Sequence, residues 1–187
     1  MMEETLLNAA EAFALPYYQE PARAYHNTAH VRSMLEALEV RGVLTVPLAL
    51  AVWGHDLIYD ARAGDNEERS AAAFDRWLAS REAASGLRAE VRALILATKH
   101  VAPPATRAAA LLVDADLAIL GASPANFAAY DAAIRQEYSH VPALLYRGGR
   151  KRVLRGFLDR DRIYTTPEFA ALEEQARANL SGAVGRR

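Results

Sequence analysis

Chemistry in this chain could sit on five histidines and on a few acidic residues set among apolar ones. His55 and Asp56 are neighbours in the most apolar stretch, Leu48 to Ile58. Burying an ionised carboxylate beside an imidazole is costly unless something pairs with both. Neighbouring positions on a helix point about 100° apart, so the two side chains are not expected to bond each other directly. A metal ion reached by both accounts for the pair. A core His–Asp satisfied by backbone or an Arg accounts for it equally well.

His26 and His30 form a second pair. In a continuous helix the i, i+4 spacing puts both on one face, which suits a metal. The residues between them are Asn27, Thr28 and Ala29, without the Glu of HExxH, so metalloprotease chemistry is not supported. If Asn27 or Thr28 caps a helix instead, His26 lies outside it and His30 falls in its first turn. Only His30 then needs to be a ligand, and a structural role serves it as well. Asp114 and Asp116 stand in the apolar run Leu111 to Leu120. On a helix they point about 200° apart, so only one of them faces a given site.

These groups need elements to hold them, and the periodicity is helical nearly throughout. Val31, Met34, Leu35 and Leu38 follow the possible cap at Asn27-Thr28, and Gly42 stops that segment. Pro16 is expected to end an earlier helix, and Pro47 to open a third that is apolar on nearly every side and therefore central. Tyr59 to Asn66 reads as a loop. Further helices are expected over 67–79, 87–98, 111–120, 125–138 and 142–160, and from Thr166-Pro167 to about Leu180. Ser123-Pro124 has the form of an N-cap and first helical residue. No segment alternates with period two, so the expected fold is all-α, with about eight or nine helices and a frayed tail over 181–187.

A chain of 187 residues fits one domain spanning 1–187. Its 22 basic and 23 acidic residues give a net charge of −1, which argues against binding a nucleic-acid polymer through bulk charge. The absence of cysteine excludes disulfides, thiolate zinc sites, iron–sulfur clusters and Cys nucleophiles. Its longest apolar run, Val43 to Gly54, falls short of the ~20 residues that span a bilayer. Glu3, Glu4 and Glu11 stand where a secretory signal carries bases. A cytoplasmic location without a membrane partner is expected.

In order, His30, His55-Asp56 and Asp116 resemble the HD-domain superfamily of metal-dependent phosphohydrolases, named for the His-Asp doublet. RAYHNTAHV (23–31), WGHDLIYDARAGDNEERSA (53–71) and LLVDADLAILG (111–121) are similar to a bacterial subfamily of such enzymes, and the likeness runs through Tyr164–Pro167. It implies an HD-type helical bundle. It also implies one divalent ion (Mn, Mg, Fe, Co, Ni or Zn) held by His30, His55, Asp56 and Asp116, with Asp114 the lesser candidate. Some relatives bind a second metal through extra His between the doublet and the last Asp, where this chain has only His100.

The implied activity is attack of a metal-activated water on a phosphoester or pyrophosphate of a small molecule, a nucleotide foremost. Arg23, His26, Lys99 and His100 are the candidates for holding the substrate's charge. Asp56 and Glu67 are the candidate catalytic carboxylates. Glu67 reads equally well as a first-turn residue favoured by the helix dipole. The family's better-studied nucleotidases carry Glu three residues past the doublet, where Tyr59 stands here. His140, Tyr130, Tyr138 and Tyr146 are read as packing residues. A non-catalytic protein that keeps the fold and binds a nucleotide or metal is the competing reading, and a homodimer is compatible with either.

Overall fold

A computed structural model describes residues 2–185, with side chains from Thr5 onward. Among these residues the protein is all-helical, with nine α-helices, two short 3-10 turns and no strand. The chain divides into two compact units, Met1–Val113 and Asp114–Arg187.

The first unit holds α1 (Met2–Tyr18), α2 (Thr28–Glu39), α3 (Val46–Gly54), α4 (Asn66–Ser80), α5 (Ser85–Ala97) and most of α6 (Arg107–Asp116). Every residue of α3 from Leu48 to Gly54 is buried, and α1, α2, α4 and α5 all pack on it. That is the environment an all-round apolar helix demands. Thr45 caps its start by accepting from the Leu48 N–H, with Pro47 in the first turn. At its other end Gly54 is required by space: a Cβ there would meet Ile95 Cδ1 at 2.7 Å and Phe74 at 2.8 Å. The missing side chain lets Phe74 of α4 and Ile95 of α5 approach the α3 backbone at this point.

Two boundaries differ from the sequence reading. The α3 helix stops at Gly54, not at Ile58, because residues 55–58 have their backbone groups taken by distant side chains. The Asp56 and Leu57 carbonyls accept from Arg23, and both the N–H and the carbonyl of Ile58 bond the Ser70 hydroxyl. In α1 the helix continues through Pro16 to Tyr18. A proline so close to a C-terminus leaves the helix little to lose beyond it. Asn27 does cap α2, its side chain accepting from the Ala29 N–H, which puts His26 outside and His30 in the first turn.

The second unit contains a 3-10 turn (Leu117–Gly121), α7 (Pro124–Glu137), α8 (Ala143–Leu158), a second 3-10 turn (Ala170–Leu172) and α9 (Glu173–Gly185). Ser123 caps α7 with Pro124 behind it, as the sequence indicates. Buried Leu120, Phe127, Leu154, Tyr164, Phe169 and Leu180 make the core. Polar side chains of α9 satisfy loop backbone: Asn179 donates to the Leu120 and Ala122 carbonyls, and Arg177 to those of Leu158, Arg160 and Asp161. The expected helix start at Thr166-Pro167 is corrected. The Thr166 N–H and hydroxyl both donate to the Asp114 carboxylate instead, and regular helix begins at Glu173. Residues 181–185 belong to α9 rather than to a frayed tail, and 186–187 lie outside the described residues. Among the described residues no single helix is long and apolar enough to cross a membrane.

Candidate metal centre

His30 enters from the third residue of α2, and His55 and Asp56 from the turn that ends α3. In this turn the doublet's side chains converge, with His55 Nε2 3.0 Å from Asp56 Oδ2. The expectation that the two would not bond each other directly therefore fails. His30 Nε2 is 3.2 Å from His55 Nε2 and 4.0 Å from Asp56 Oδ2. Both imidazoles are buried. His55 Nδ1 sits 2.8 Å from the Val52 carbonyl, which only accepts, so that nitrogen carries a proton and Nε2 is the atom turned toward His30 and Asp56.

Three possible ligand atoms thus face one another, and positive charge belongs among them, as imidazole protons or as a metal ion. Separations of 3.0, 3.2 and 4.0 Å place the atoms on a circle of radius about 2.0 Å. One point is therefore about 2.0 Å from all three, close to the 2.0–2.2 Å that zinc-like ions adopt toward imidazole nitrogen and carboxylate oxygen. His30, His55 and Asp56 form a cluster able to hold a metal ion. Burial would raise the Asp56 pKa, but the fields of His55, His26 and His30 and the His55 hydrogen bond hold it far below the ordinary carboxylate range. The carboxylate is ionised, as a ligand must be.

Arg23, expected to hold phosphate, is buried and occupied. Its Nη1 donates to the Asp56 carbonyl (2.6 Å) and the His26 carbonyl (3.3 Å), its Nη2 to the Leu57 carbonyl (2.9 Å), and its Nε to the Glu20 carboxylate (3.0 Å). Four bonds leave at most one of its five N–H groups for anything else. Arg23 positions the doublet. Arg23→Ala is therefore expected to lower stability by about 2 kcal/mol, since buried carbonyls lose a charged donor, and to weaken metal binding as the turn relaxes. Metal titration and urea midpoints check this; a variant that binds metal as tightly as the parent removes the positioning role.

His26 stands beside the cluster, its ring 5.9 Å from that of His30 and stacked on Tyr59 at 4.3 Å. Tyr25 packs against His30 at 4.8 Å. Tyr59 thus supports His26 at the position where a family carboxylate was the alternative. Tyr25 and Ser70 fall within the motif stretches 23–31 and 53–71 without a role of their own there, and Ser70 acts through a bond to residue 58 twelve positions away.

The other predicted residues of the first unit have other places, and Asp114 and Asp116 belong to the second unit. Glu67 lies in the first turn of α4 and is not part of the cluster. Lys99 pairs with Glu68, tying α5 to α4, and His100 follows it in the left-handed region at φ 56°. Asp114 is fully buried, and its two oxygens accept from the N–H and hydroxyl groups of Thr165 and Thr166. A carboxylate so committed is structural. Asp116 is half-buried at the end of α6, in the second unit, where its charge acts on Tyr130.

Compared with known protein families, curated proteins and solved structures, the chain matches none.

Proposed function

We propose that the protein is a divalent-metal-dependent phosphohydrolase acting on a small phosphorylated molecule, a nucleotide foremost. The observation that carries this reading is the His30–His55–Asp56 triangle, whose three donor atoms share one point at metal-ligand distance. Two imidazoles and a carboxylate are borderline-to-hard ligands, suited to Mn²⁺, Fe²⁺, Co²⁺, Ni²⁺ or Zn²⁺. Asp116 enters this reading as a fourth ligand only through the resemblance to HD-domain enzymes. When bound, a divalent ion supplies Lewis-acid polarisation of a phosphoryl oxygen and lowers the pKa of its water, toward ~7 in the best zinc cases.

The chain's own residues do the rest. The Val52 carbonyl orients His55, and Arg23 holds the Asp56–Leu57 backbone. His26, braced by Tyr59 beside the cluster, is the side chain best placed to donate a hydrogen bond to a substrate oxygen. Glu67 keeps a helix-start role in this scheme.

The test is phosphate release from a panel of nucleotides and phosphate monoesters with each metal, for the parent and for Asp56→Asn. The variant is expected to keep its helical content and to lose metal-dependent turnover at least about a hundredfold, as a carboxylate ligand becomes a neutral amide. Asp56→Asn with full turnover and metal content overturns the reading. Tight metal binding by the parent without release from any substrate favours the non-catalytic alternative.

A further inference from the structure

The second unit contains a groove of about 340 Å³ between α7 and α8, the size of a small-ligand pocket. Asp131 and Arg135 of α7 and Tyr146 and Arg147 of α8 form its walls, over three alanines. One turn beyond Tyr146 on α8, Arg150 is not itself part of the wall but bonds Asp131, which is, and hydrogen-bonds Tyr130. Its Nε donates to Asp131 Oδ1 at 3.0 Å and its guanidinium lies 5.0 Å from the Tyr130 ring centre. The side chain is 12% exposed.

Two donors here are buried without a hydrogen-bond partner: Arg150 Nη2 and the Tyr146 hydroxyl. Native structures keep few such groups, and each one costs stability. These two come from consecutive turns of one helix, and Tyr146 and the Asp131 partner of Arg150 line the same groove. Both can donate, which a single acceptor with several lone pairs would satisfy. The charge agrees. Arg135, Arg147 and Arg150 outnumber Asp131, and with Asp116 acting on nearby Tyr130 one positive charge is still in excess.

We propose that Arg150 and Tyr146 hold an oxyanion, the phosphate group of a small phosphorylated molecule seated in the α7–α8 groove. The guanidinium and phenol donate to its oxygens, a charge-assisted arrangement typical of phosphate recognition. Exposed Arg147 lines the same groove and adds a positive charge beside that of Arg135. The inference does not depend on metal chemistry and can fail or stand separately from it.

Inorganic phosphate titrated calorimetrically into the metal-free full chain at low salt is the test. The parent is expected to bind. Arg150→Gln should weaken binding at least about tenfold, through loss of a charge-assisted bond. Tyr146→Phe should weaken it severalfold and raise the thermal midpoint, because the orphaned hydroxyl is gone. A purely structural role for these residues gives the higher midpoint of Tyr146→Phe with unchanged phosphate affinity, and that result overturns the proposal. So does a parent that binds no phosphate. If Arg150→Gln does not fold, Tyr146→Phe decides alone.

Discussion

Replacing His55 by alanine is expected to eliminate divalent-metal binding and, with it, the stabilisation that metal confers. The ring supplies the atom nearest to both other donors, 3.2 Å from His30 Nε2 and 3.0 Å from Asp56 Oδ2. Without it two donors remain 4.0 Å apart, a poor grip for an ion that prefers four or more. Losing merely a supporting partner of a ligand typically costs 10–100-fold in affinity, so loss of this ligand should exceed about a hundredfold. In the parent, free metal at about 100 times its Kd should add about 2.7 kcal/mol to unfolding stability, because the ion binds only the folded chain. Thermal and urea unfolding with and without Mn²⁺, Ni²⁺ or Zn²⁺ read this directly. Equal metal-induced shifts in the parent and in His55→Ala would refute the assigned centre.

Asp114→Ala should instead produce a large loss of stability with metal affinity unchanged. This carboxylate joins the end of α6 to a segment more than fifty residues away, accepting from the backbone N–H groups of Thr165 and Thr166 and from both hydroxyls. Burial outweighs the Thr166 and Thr165 bonds and leaves its pKa above the ordinary carboxylate value, so the partners offset only part of the desolvation cost. Truncation leaves these donors facing a cavity. The expected cost is about 3 kcal/mol, near the lower end for breaking a buried charged network. A urea midpoint within error of the parent would show that the donors find water without cost. A loss of metal affinity would return Asp114 to the list of ligands.

What the sequence made legible was local. The caps at Asn27 and Ser123, the stop at Gly42 and the central apolar helix are set by residues within a turn of the effect they produce. His30, His55 and Asp56 were legible for a related reason: ionisable groups in apolar surroundings demand a purpose, whatever the tertiary fold. The misses are residues whose partners are remote in sequence. The helix carrying the doublet stops early because Arg23 and Ser70 take its next carbonyls. Thr166 looked like a cap and serves Asp114. Arg23 was expected to hold the substrate's charge, and its burial is invisible without the turn it braces. Arg150 is one of five basic residues on α8, and nothing in that run separates the buried one from the exposed.

The Arg23 contacts bear on the thermodynamics of metal capture. One side chain joins the segment before α2 to the turn after α3, 33 residues on, before any ion arrives. Ordering of the liganding backbone is thereby completed during folding, and its entropy is no longer owed at binding. A preorganised centre of this kind takes up its ion without a conformational search, so the association rate is set by how quickly the aquo ion sheds water. Affinity among metals then follows their dehydration and ligand preferences rather than the flexibility of the chain.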